Sequence, residues 1–125
     1  MPVIRHAQSR RTETPNAVVT TLASPTLGGA GQALWRVDMR PGAEGPLHTI
    51  DAEQVWTVLD GGATVELAGE RLTVRPGDTI VMPATVLRRV HADPDAGFAA
   101  IVSAPPGAHA AAPDGTGRTV PPWTV

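Results

Sequence analysis

The sequence predicts an all-β fold, an antiparallel sandwich or barrel, and three observations carry that reading. Apolar and β-branched residues fall in short runs of strand length, several of them strictly alternating. Turn residues punctuate these runs: the chain has 13 Gly and 13 Pro among 125 residues, and both residues break helices. No segment carries an apolar repeat of helical period. Roughly seven or eight short strands joined by turns describe a sandwich or barrel rather than a bundle.

Taken in order, residues 1–16 carry Arg5, His6, Arg10, Arg11, Glu13 and Pro15 and read as a polar N-terminal arm. Residues 17–125 read as one domain that includes an irregular C-terminal tail. Ala17–Leu22 is β-branched and short, as a strand should be. Ser24–Gly31 is turn chemistry; its Gly29-Ala30-Gly31 lacks the third glycine and the following helix of a dinucleotide loop. In Ala33–Met39, alternation puts Leu34, Arg36 and Asp38 on one face and Trp35, Val37 and Met39 on the other. Gln54–Asp60 is the next strand, and Gly61-Gly62 predicts a tight hairpin into Ala63–Leu67. Ala68-Gly69 turns the chain into Glu70–Val74, and Pro76-Gly77-Asp78 leads to Thr79–Met82. Thr85–His91 and Gly97–Ser103 follow, separated by the turn acids of Asp93-Pro94-Asp95. The Ala/Pro/Gly-rich tail is expected to be strapped down by Trp123, with Trp35 assigned to the core.

Composition excludes several chemistries. The chain has no Cys, which removes disulfides, thiolate metal sites and cysteine nucleophiles. It also has no Lys, which removes amine Schiff-base chemistry. A net charge of −2 and a pI near 6.0 leave no basic footprint for nucleic acid; the arginines are scattered apart from the pairs Arg10-Arg11 and Arg88-Arg89, and a surface pair is usually a solvated face. No apolar run approaches the roughly 20 residues that cross a bilayer, and the polar N-terminus does not resemble a signal peptide. The expectation is a soluble cytoplasmic protein without nucleic-acid or membrane partners.

From Pro41 onward the sequence resembles the cupin family of small β-barrels. Pro41-Gly-Ala-Glu-Gly-Pro-Leu-His48 followed by Gln54–Gly61 is similar to the first cupin motif. Arg75-Pro-Gly-Asp-Thr-Ile-Val-Met-Pro83, with Ala84-Thr85-Val86 after it, is similar to the second. The resemblance implies a double-stranded β-helix, or jelly-roll barrel. It also implies a metal site in many members, built from two histidines and a glutamate of the first motif and a histidine of the second. Here His48 fits the first position, whereas Ile50, Gln54 and Arg88 occupy the others. Ile50 donates nothing, Gln54 is a weak neutral donor, and Arg88 is a fixed cation that repels a metal ion. Glu53 falls one residue out of register and on the other strand face, and alternation turns His91 away from Arg88. No metal and no other cofactor is expected.

The same resemblance points His48, Ile50, Gln54, Trp56, Val58, Arg88 and Val90 into the barrel. Arg88 suits a carboxylate, phosphate or enolate. His48 is the side chain there that titrates near neutrality, and Arg88 beside it should keep it neutral and able to accept a proton. Gln54 could orient a carbonyl; Trp56, Ile50, Val58 and Val90 would supply the binding surface. Asp51 and Glu53, near the mouth, could assist. Structural readings compete: Arg88 paired with a carboxylate such as Asp38, His48 bonded to Gln54, Trp56 as packing.

Three functions follow as expectations. The first is a metal-independent enzyme of secondary metabolism, an isomerase, cyclase or dehydratase with His48 as acid–base and Arg88 as anion stabiliser. The second is a non-catalytic cupin that binds a small acidic ligand. The third is a dioxygenase-like cupin with a rebuilt metal site. The resemblance also implies a homodimer, with the N-terminal arm crossing to the partner and Val55, Thr57 and Leu59 on the outer face.

Overall fold

A computed structural model describes residues 3–125 of the chain. A short 3-10 helix, His6–Gln8, precedes the strands. In chain order these are β1 (Arg10–Glu13), β2 (Val18–Ala23), β3 (Ala33–Met39), β4 (Thr49–Ile50), β5 (Gln54–Gly61) and β6 (Ala63–Leu67). Then come β7 (Glu70–Val74), β8 (Thr79–Met82), β9 (Arg88–Ala92), β10 (Phe98–Ala104) and β11 (Ala110–Ala111). The strands expected over Ala33–Met39, Ala63–Leu67, Glu70–Val74 and Thr79–Met82 have those bounds.

One sheet runs β1-β2-β3-β10-β5-β8, all antiparallel. The facing layer is β7-β6-β9. The pairs Glu44↔His91 and His48↔Arg88 lay the segment before β4 along β9, and β4 in turn pairs with β11. The two layers close over a core of alternating residues. Along β3, Trp35, Val37 and Met39 are buried while Arg36 and Asp38 form an ion pair of 3.0 Å on the other face. Period-two alternation thus settles which face of each strand enters the barrel.

Two expectations are corrected. Gly61-Gly62 is not a hairpin: β5 pairs with β10 and β8, whereas β6 pairs with β7 and β9. The glycines form a corner where the chain leaves one sheet for the other. Gly61 has φ +67°, and a Cβ there would stand 2.0 Å from the Gly97 carbonyl oxygen. Only glycine allows the backbones to approach so closely. The hairpin chemistry lies at Ala68-Gly69, both with positive φ, as a two-residue β turn between β6 and β7 requires.

The N-terminal segment is the second correction. Arg10–Glu13 is not an arm but the edge strand β1, paired within the same chain to Val18–Thr21. The tail is held through its backbone as well as through Trp123. The Trp123 carbonyl accepts a 2.8 Å bond from the Thr21 hydroxyl, and the Val125 carbonyl accepts from Ser24, Thr26 and Arg10. Among the described residues no helix is long and apolar enough to cross a membrane.

Candidate functional site

Between the two layers lies a cavity of about 430 Å³, mostly apolar. Of the residues expected there, His48, Ile50, Gln54, Trp56, Arg88 and Val90 line it. Val58 does not. Although it points inward, it is 2% exposed and belongs to the packed core beyond the cavity floor.

Arg88 is set by the turn before it. Thr85 has φ +67°, a strained value for a β-branched residue, and its N–H donates to the Ile50 carbonyl at 2.7 Å. This folds the Pro83 and Val86 carbonyls back toward the start of β9. The Arg88 guanidinium donates from Nη2 to the Pro83 carbonyl at 2.7 Å and to the Val86 carbonyl at 3.1 Å. Nε donates to the Val86 carbonyl at 3.2 Å. Nη1 is buried with no partner among the described residues, and the residue as a whole is 1% exposed. The expected alternative partner, Asp38, is instead on the outer face with Arg36. Among the described residues Arg88 has no ion pair, and burial pulls its pKa below the ordinary arginine value. Burying a cation costs several kcal/mol even after relaxation, on the order of a whole domain's margin of stability. Carbonyl dipoles offset part of that cost; none of the described residues supplies a counter-charge.

His48 does not bond to Gln54. Its Nδ1 lies 2.8 Å from the Pro46 carbonyl oxygen. A carbonyl only accepts, so Nδ1 carries the proton and the neutral ring keeps its lone pair on Nε2. Burial first, and the Arg88 charge second, hold the imidazole pKa below its usual value, against the opposing pull of the Pro46 bond. His48 is therefore neutral at pH 7, with an accepting nitrogen in an apolar cavity. The Gln54 carbonyl oxygen accepts the Trp56 indole N–H at 3.1 Å, which leaves the amide NH2 as the donor available to a ligand.

The acids expected at the mouth are elsewhere. Asp51 accepts the His109 backbone N–H at 2.6 Å and the Arg118 guanidinium at 2.9 Å, clasping the tail, and these bonds hold its carboxyl below the usual range. Glu53 is exposed. His91 bonds Glu66 at 2.7 Å on the outer face of β9, as alternation required. Among the described residues no group of three or more His, Asp or Glu is placed to hold a metal ion. The cavity offers one imidazole, the neutral amides of Asn16 and Gln54, and a cation. This donor set does not fit the metal that the barrel's motifs imply.

The sequence reading missed part of the wall. Trp35, Met39, Asn16, Thr119 and Trp123 also border the cavity. Trp35 and Met39 carried a usable signal, since they share the inward face of β3. Asn16, Thr119 and Trp123 lie in irregular segments, where no periodicity tells inward from outward.

The architecture defines a jelly-roll barrel that holds a mostly apolar cavity. The chain belongs to the cupin family: the cupin domain model matches residues 35–104. No curated protein matches the chain. Among solved structures it is similar to the polyketide cyclase RemF from Streptomyces resistomycificus, at 21% identity over 84% of this chain and 79% of that one, with a TM-score of 0.71. It is also similar to KdgF from Halomonas sp., at 21% identity over 82% and 91% of the two chains, TM-score 0.67. A third similar structure is salicylate 1,2-dioxygenase from Pseudaminobacter salicylatoxidans, at 22% identity and TM-score 0.67, where the match spans 77% of this chain but 28% of that one. At such identities the likeness establishes the fold alone.

Proposed function

We propose that this cupin is a metal-independent acid–base enzyme acting on a small anionic molecule, of the isomerase, cyclase or dehydratase kind. One observation carries the reading: Arg88, buried beside the cavity with no carboxylate among the described residues to neutralise it, shares that cavity with a neutral histidine whose Nε2 accepts. A ligand carboxylate, or an enolate formed during reaction, supplies the missing charge. In an isomerisation, His48 Nε2 takes a proton from the carbon beside a carbonyl; the C–H electron pair becomes the C=C bond of an enolate, and the carbonyl π pair moves onto oxygen. Arg88 and the Gln54 amide stabilise that enolate, and His48 returns the proton at another atom. No oxidant and no metal enters the balance. The likeness to a polyketide cyclase is compatible with such chemistry.

The second reading, binding without catalysis, is favoured by the lack of any Asp or Glu among the lining residues to assist His48. Deuterium exchange separates the two. Enolisable keto acids incubated with the protein in D2O should gain deuterium beside the carbonyl, and His48→Gln should abolish the gain. Exchange at the wild-type rate in that variant removes His48 from the mechanism. Binding with no exchange leaves the carrier or sensor role.

A further inference from the structure

We infer that the ligand carries an aromatic ring, held among Trp35, Trp56 and Trp123, with its anionic end toward Arg88; the second half of this statement rests on the function proposed above. The chain is poor in aromatic residues, with three Trp, one Phe and no Tyr. All three tryptophans line one cavity. They reach it from β3, from β5 and from the turn at the C-terminal end, so local sequence does not group them.

Their placement is ordered. In the sheet, Trp35 pairs with Val102, and Val102 pairs with Trp56. The two tryptophans therefore share one row and one face, flanking a fully buried valine. Neighbouring strands lie roughly 4.8 Å apart, so the two side chains rise roughly 10 Å apart. Both indoles border the cavity, so a ring bound there meets them from the same side. Trp56 is held in place from behind, stacked on Phe98 at 6.2 Å and 23°, while its indole N–H is committed to Gln54. Trp123 is laid alongside by its carbonyl bond from Thr21, which pairs directly with Trp35. Trp56 and Trp123 are only partly buried. Both pack against the core, and it is their remaining surface that a ligand in the cavity would meet.

The test titrates the full chain with benzoate, cyclohexanecarboxylate and benzamide, followed by tryptophan fluorescence and calorimetry. Benzoate should bind about tenfold more tightly than cyclohexanecarboxylate, although the saturated ring is the more hydrophobic. Trp123→Leu keeps apolar volume on a segment outside the sheets; it should weaken benzoate severalfold and leave cyclohexanecarboxylate nearly unchanged, and Trp123→Phe should restore most of the loss. Equal affinity for benzoate and cyclohexanecarboxylate, both above benzamide, overturns the aromatic inference and leaves the anion site standing. Benzoate and benzamide binding equally, both above cyclohexanecarboxylate, overturns the role of Arg88 and keeps the tryptophan site. If none of the three binds at millimolar concentration, both fail.

Discussion

His48 and Arg88 exchange both backbone hydrogen bonds, His48 N–H to the Arg88 carbonyl at 3.1 Å and Arg88 N–H to the His48 carbonyl at 3.0 Å. Residues paired in this way project their side chains from the same face of the ladder. The accepting imidazole and the unneutralised guanidinium are thus fixed to each other by main chain rather than by a side-chain contact. Either side chain can be replaced with the frame that positions the other left in place.

Replacing Arg88 should therefore act on ligand charge. Hydrogen bonds to charged groups contribute about 1.5–3 kcal/mol, so Arg88→Gln should weaken benzoate by about ten- to a hundredfold and leave benzamide nearly unaffected. Calorimetric titration of both compounds checks this. An equal loss for the two would mean that Arg88 shapes the cavity and does not read charge.

The pH dependence follows from the lowered His48 pKa. Below the ordinary value of 6.5 the unfolded chain binds a proton that the folded chain refuses. Stability should thus fall as pH drops from 6.5 toward the folded value, and His48→Gln should flatten that slope. For any reaction in which His48 is the base, the acidic limb of kcat/KM should lie below 6.5 and move upward in Arg88→Gln, because one of the two depressing causes is gone. Urea unfolding across pH and a pH–rate profile measure the two effects. An acidic limb unmoved by the substitution would show that the Arg88 charge does not reach the ring.

Metal content offers a direct check on the donor argument. Protein purified without chelator should carry well under one transition metal per chain, and EDTA should not change benzoate affinity. A stoichiometric metal by elemental analysis would show that ligands other than the familiar cupin set have been recruited.

The sheet-to-sheet corner predicts a contrast between two glycines. Gly61→Ala combines a positive φ with a Cβ 2.0 Å from backbone, and should cost about 3 kcal/mol or more. Gly69 has φ +82° with nothing within 4 Å of its would-be Cβ, so Gly69→Ala should cost only about 1–2 kcal/mol. Equal losses in urea denaturation would show that steric approach at the corner is not the constraint.

The clasp on the tail is testable by hydrogen exchange. Asp51→Ala removes the acceptor of the His109 N–H and of Arg118. Exchange should quicken at residues 109–119, while the strands of the large sheet keep their protection. Uniform acceleration would mean that Asp51 supports the barrel as a whole.

What the sequence by itself determined is what alternation and turn chemistry can specify locally. Alternation set Trp35 opposite Arg36 and turned His91 away from Arg88, and the cupin resemblance pointed His48, Ile50, Gln54, Trp56, Arg88 and Val90 inward. The chemistry of Ile50, Gln54 and Arg88 already argued against the usual metal donors. Tertiary structure decided whatever depends on which segments meet. Gly61-Gly62 reads as a hairpin in isolation, but β5 and β6 find partners in different sheets, and those pairings join residues far apart in the chain. Arg10–Glu13 becomes an edge strand only because β2 offers an open edge. Val58 shares the face of Trp56, yet lies where the layers pack too closely for a cavity. Trp123 reaches the site through a bond from Thr21, 102 positions away. That none of the described residues supplies Arg88 with a counter-charge is likewise a property of its surroundings, visible only once the fold brings its neighbours together.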